Sequence, residues 1–246
     1  MSVPETAETS WKPFLAYVLP FLFFGVFTSL EGLESLKGYF TPIYEFKVVA
    51  VLGALWWGRR YYPAWSWNGA GLGLLAGIVG GIIWIVLCKW NFEQLVLPGI
   101  VAKLAEWFNI PDLVEWIKPA SRTAYQPFAD GADAAAYGFL LIRLIGMVVA
   151  VPIMEELFWR GFLIRIIIDE RWQQVPLGKL TRASVIIVTL AFVAVHAEWT
   201  AALVWILMIH WLYWKTRNLW ACVIAHAASN AVLAGYILAY EQWQLW

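Results

Sequence analysis

The stretch Val151–Arg165, VPIMEELFWRGFLIR, places two adjacent carboxylates and an arginine inside sequence that is otherwise apolar enough for a membrane. A charged side chain at a bilayer centre costs about 2.5–3.5 kcal/mol on insertion scales, so such residues are rarely idle. On a helix, Glu156 and Arg160 are four apart and pair on one face. Glu155 then points about 100° away, with no partner in its own turn. The geometry suggests a division of labour, with Glu156 and Arg160 as a structural pair and Glu155 as the free carboxylate. The competing reading is a membrane-boundary cluster whose head groups snorkel to water.

Around this stretch lies an apolar run from Tyr137 to Ile168, interrupted by Arg143, Pro152 and the charged cluster. As one helix it would measure roughly 48 Å, too long for one untilted span, so Pro152 is expected to bend or divide it. Composition agrees with a membrane setting: 62% of the 246 residues are hydrophobic and 14% charged. Mean hydropathy is +0.67. Ordinary soluble domains hold roughly 45–50% apolar residues. Lipid satisfies no backbone groups, and long apolar runs without alternation choose helices over a barrel. The expected fold is all-α, a polytopic transmembrane helical bundle of seven or eight spans.

Further segments are expected near 13–33 (with a kink at Pro20), 43–58, 69–88, 183–197, 199–214 and 219–240. The third is rich in glycine (Gly71, Gly73, Gly77, Gly80, Gly81), spaced for close helix–helix approach. Residues 89–136 break the pattern with charges and with Pro98, Pro111, Pro119 and Pro127; within them, 99–108 has helical periodicity and suits the membrane surface. Tryptophans cluster near segment ends, where an aromatic belt places them. The positive-inside rule puts Arg59/Arg60, Arg165–Arg182 and Lys215/Arg217 on the cytoplasmic side if there are seven spans; a split at Pro152 gives eight and reverses the later loops. Formal net charge is zero and no basic patch suggests nucleic acid. Cys88 and Cys222 show no metal-type spacing and are read as packing residues.

The three histidines, His196, His210 and His226, all lie in apolar segments near the end of the chain. AFVAVHAEW places Phe192 and His196 four apart on one helix face, and VIAHAASNAV does the same for His226 and Asn230. Such a face needs a partner inside the bundle, and Glu155 is the obvious candidate. These pieces fit a hydrolase in which Glu155 activates water, a histidine assists, and the other histidine with Asn230 donates to the oxyanion. A serine nucleophile finds little support, Ser229 near His226 being the nearest. Glu155, His196 and His226 would also make a zinc set with an open position, although no HExxH is present. Arg143, Glu198 and His210 are read as interfacial, structural or supporting residues.

Together, EELFWR at Glu155–Arg160, FVAVH at Phe192–His196 and HAASN at His226–Asn230 resemble the EExxxR, FxxxH and HxxxN signatures of the CAAX-protease and bacteriocin-processing family of intramembrane peptidases. The wording around MEELFWRGFLIR also resembles the family's exosortase-associated bacterial branch. The resemblance covers roughly 137–240. It implies a catalytic set of Glu155, His196, His226 and Asn230, supported by Glu156, Arg160 and Phe192. Metal-free water activation is the favoured account; a divalent metal such as zinc is the alternative. Trp159 departs from the usual phenylalanine and is expected to pack. The chain then divides into a polar tail (1–12), N-terminal transmembrane helices with an amphipathic loop region (13–136) and a catalytic helical core (137–246). The implied setting is a bacterial inner membrane, with membrane lipid and a membrane-anchored, CAAX-like substrate as partners. A silent scaffold or bacteriocin self-immunity protein is the alternative of a different class, and a transporter is a third; no repeated halves favour the last.

In the seven-span reading, Glu155 and His226 lie nearer the cytoplasmic face while His196 falls near the outer end of its segment. They meet only if that helix is shifted, tilted or broken near His196–Trp199.

Overall fold

In lipid an apolar run must close its backbone hydrogen bonds within itself, and among the described residues every regular element is a helix. The computed structural model describes residues 11–90, 92–117, 124–129 and 131–246. The expected polar tail falls outside them except at residues 11 and 12. In chain order the helices are α1 (Lys12–Glu31), α2 (Phe40–Gly58), α3 (Ala70–Trp90), α4 (Phe92–Leu95), α5 (Leu97–Phe108), α6 (Leu113–Trp116), α7 (Ala134–Ile168), α8 (Arg182–Ala194), α9 (Trp199–Thr216) and α10 (Leu219–Tyr240). Four of these, α1, α3, α7 and α10, are long and apolar enough to cross a membrane. Helices of this length and composition suit an integral membrane protein. α1 continues through Pro20 as one helix.

Helix α7 is one element of 35 residues and passes through Pro152 unbroken, so the expected division there does not occur. Its register widens instead. Backbone bonding shifts to the five-residue spacing at Gly146–Ala150 and again at Leu157–Leu163. These two wide turns flank Glu155 and Glu156, and such insertions often mark functional sites. Val151 donates to Gly146 O; in the same spacing residue 152 would donate to Met147 O. Proline has no N–H. The freed Met147 carbonyl accepts from Asn230 Nδ2 at 2.8 Å instead, so α10 repairs the gap that Pro152 leaves in α7.

The glycines of α3 act as expected. Gly73, Gly77 and Gly81 lie along one face, and a Cβ on any of them would press on the α10 backbone at Ala221, Ala225 and Ser229 in turn. The matching order of the two series means that α3 and α10 run parallel. The other side of α3 presents Leu74, Leu75, Ile78, Ile82 and Val86, all exposed, an arrangement suited to lipid. Helix α7 runs opposite to α10: Gly161 approaches Leu219, Glu156 meets His226 and Met147 meets Asn230. It also runs opposite to α1, through Phe14 against Phe162 and Phe21 against Phe158.

The basic stretches gather at one end of this bundle. Asn218 Nδ2 donates to Ser66 O and Asn68 O, Gly178 lies against Arg217, and Arg165 donates to Val175 O and Gln173 O. At the start of α7, Arg143 is buried among the rings of Phe40, Tyr44, Tyr125, Phe139 and Trp246, with centroids 5.1–6.0 Å from its guanidinium carbon.

Candidate active site

Helix α8 sets the depth of the site. It has 13 residues, so at 1.5 Å each it rises about 20 Å from the basic end, well short of the ~30 Å hydrocarbon thickness. The expected segment 183–197 therefore ends early, and the chain turns back at 195–198 into α9. Glu155 lies 13 positions before the end of α7 at Ile168, again about 20 Å from the basic end. A break near His196–Trp199, one of the three adjustments the seven-span reading allowed, is present, and it brings the His196 turn level with Glu155.

Within the site the two carboxylates face different helices. Glu156 is fully buried and turns toward α10, where its Oε1 accepts from Arg160 Nη1 at 3.0 Å and pairs with His226 Nδ1 at 3.0 Å. The expected Glu156–Arg160 pair is thus formed. The expected partnership of Glu155 with the His226 face is not: the 100° between adjacent helical residues gives His226 to Glu156 and turns Glu155 toward α8. Glu155 is buried, and its Oε2 accepts from Trp159 Nε1 at 3.3 Å, one turn along α7.

Glu155 and His196 are joined through rings, and no direct hydrogen bond links them among the described residues. The Trp159 ring stands edge-on to Phe192 at 5.7 Å, and Phe192 stacks on the His196 imidazole at 4.2 Å. Phe192 is 1% exposed and also lies 5.8 Å from the Arg160 guanidinium. The aromatic four positions before His196 is therefore a hub. His196 Nδ1 lies 2.7 Å from Phe192 O. A carbonyl can only accept, so Nδ1 carries the proton and Nε2 holds the lone pair in the neutral ring. Trp84 of α3 stands edge-on to the same ring at 5.8 Å.

His226 is buried against Trp205, and with Glu156 ionised its Nδ1 donates to that carboxylate. Its Nε2 is then an acceptor in the neutral ring and a donor in the imidazolium. Asn230 uses one Nδ2 hydrogen on Met147 O, and the same nitrogen carries a second. His210 pairs through Nε2 with Thr189 Oγ1 at 3.3 Å and so ties α9 to α8. Glu198 occupies the N-cap position of α9.

Three buried ionisable side chains thus sit within two turns of α7. Glu156, Arg160 and His226 form one hydrogen-bonded set, and Glu155 stands beside it with a single neutral donor. The expected zinc set of Glu155, His196 and His226 is not assembled in this arrangement. Among the described residues no three His, Cys, Asp or Glu side chains converge to hold an ion, and Glu156 Oε1 is already engaged twice. The arrangement can hold a water against a carboxylate in a dry environment and can aim donors at a developing charge.

Sequence reasoning underused Trp159, although the i, i+4 spacing that found Glu156–Arg160 also links it to Glu155. It missed Glu93 altogether. That buried carboxylate accepts from the Thr200 backbone N–H at 2.6 Å across a separation of 107 residues, a relation no local pattern encodes.

An all-helical membrane bundle with a buried glutamate–histidine site defines a class that includes intramembrane hydrolases. Residues 137–232 match the family model described as Rce1-like, type II CAAX prenyl endopeptidase Rce1-like. No curated protein and no solved structure matches the chain. The matched segment contains all three sequence motifs.

Proposed function

We propose that the chain is an intramembrane endopeptidase that cleaves a peptide bond in a membrane-anchored substrate, with a prenylated, CAAX-like terminus as the class the family description names. Glu155 takes a proton from water as that water attacks the scissile carbonyl. His196, its Nδ1–H fixed on Phe192 O, uses the Nε2 lone pair to orient that water, and Glu155 returns the proton it took to the leaving amine. His226, as an imidazolium backed by Glu156, and the second Asn230 N–H stabilise the oxyanion. Arg160 balances Glu156 and keeps that carboxylate from competing for the water.

The observation that supports this best is depth: Glu155 and the His196 turn lie about 20 Å from the same end of the bundle. Glu155, Glu156, Arg160 and His226 are buried, where donors and carboxylates act more strongly than in water, while His196 and Asn230 are half-buried.

The test is a comparison of protein termini in host cells carrying wild-type chain, no chain or Glu155→Ala at matched membrane levels. Termini present with the wild type and missing from the other two cell types would establish cleavage and nominate substrates. Identical termini in wild-type and Glu155→Ala cells would end the peptidase reading and favour a scaffold.

A further inference from the structure

The first turn of α9 begins immediately after the His196 turn, and its amide donors need acceptors. The residue at the N-cap position, Glu198, makes no side-chain cap bond there. The acceptor comes from elsewhere: Glu93 of α4, 7% exposed, takes the Thr200 N–H. A carboxylate at a helix N-terminus is favoured by the helix dipole as well as by the bond itself. On the other side of the turn, Trp84 of α3 stands edge-on to the His196 ring, and His196 Nδ1 is anchored on the last turn of α8. Trp84 lies 14 positions into α3, about 21 Å from its start and so at the depth of Glu155. Helices α3 and α4 thus hold the 195–198 turn at both ends, through a ring on the histidine and a carboxylate on the helix that follows.

We infer that Glu93 is a positioning residue for His196: with Trp84 it clamps the turn so that the imidazole stays level with Glu155. This rests on the reading of His196 as part of the site. Nothing in the local sequence of α4 marks Glu93 for that task, and it lies outside the matched family segment.

The experiment uses full-length protein in nanodiscs, with hydrogen exchange by mass spectrometry and histidine-labelled NMR. Only three imidazoles contribute, and His196→Gln identifies the one of interest. For Glu93→Ala we expect exchange across 196–202 to rise about tenfold or more while 219–240 keeps its protection, as a local opening requires. The His196 resonances move. On a quenched prenylated CAAX peptide, kcat falls about tenfold with KM within about twofold, the pattern of a displaced catalytic group. Glu93→Gln restores the wild-type pattern, because its amide oxygen still accepts from Thr200. Where Glu93→Ala does not fold, Glu93→Asp withdraws the acceptor by one methylene and gives the same changes in weaker form.

Unchanged exchange at 196–202 and unmoved His196 resonances in these variants would overturn the inference. The exchange and imidazole readouts need no turnover. If wild-type protein leaves the peptide uncut, or His196→Gln cuts it at full rate, the peptidase reading fails and the clamp is judged on those readouts alone.

Discussion

Trp159 is the residue at which this site differs from the pattern its sequence resembles, and the difference has chemical content. A phenylalanine would fill the same space against Phe192 but could not donate to Glu155. Hydrogen bonds to charged groups contribute about 1.5–3 kcal/mol, so Trp159→Phe is predicted to lower kcat by roughly tenfold or more, with the fold intact. Steady-state kinetics beside a thermal melt checks this. On the proposed mechanism Asn230 has two separable tasks. Asn230→Ala leaves the Met147 carbonyl unmatched, at about 1–3 kcal/mol. Adding Pro152→Ala supplies the missing N–H, so the double variant is predicted to regain stability without regaining activity. A double-mutant cycle scored on both melting and turnover separates the tasks. Arg160→Met strips the charge partner from a fully buried Glu156 and is predicted to cost about 3–5 kcal/mol, seen as loss of folded protein after detergent extraction.

At the scale of the element, what can be read from sequence is what one helix encodes by itself. The Glu156–Arg160 pair, the glycine face of α3 and the limits of α10 follow from spacings of four and from the length of apolar runs. The end of α8 does not. From Ala191 to Ala202 the sequence has no glycine or proline, and hydropathy does not distinguish a helix that stops halfway from one that continues. The assignment of His226 to Glu156 rather than Glu155 depends on how α7 and α10 are rotated against each other, which Pro152 and the Met147–Asn230 bond help to fix. The glycine face gives a direct prediction. Gly77→Leu forces bulk against Ala225 O and Ala228 and should destabilise by about 1–3 kcal/mol or more. Gly71→Ala, with nothing within 4 Å of its Cβ, should change stability by no more than about 0.5 kcal/mol. Thermal melts of the two variants in the same detergent provide the comparison.

In the molecule as a whole, a helical bundle fixes a depth, and the proposed reaction takes place at that depth. The basic stretches mark one end, a short helix turns back at the level of two buried carboxylates, and residues 137–232 match a prenyl endopeptidase family model. If the bundle exists to place Glu155 on a water, removing only the negative charge must abolish turnover while leaving the packing alone. The most direct measurement is therefore the cleavage rate of a quenched prenylated CAAX peptide by purified wild type and Glu155→Gln in nanodiscs. A positioned general base contributes about 10²–10⁴-fold, so the variant is predicted to lose at least a hundredfold in kcat with an unchanged melting curve. A Glu155→Gln protein that cuts the peptide within about twofold of the wild-type rate would contradict the assignment of Glu155 as the base.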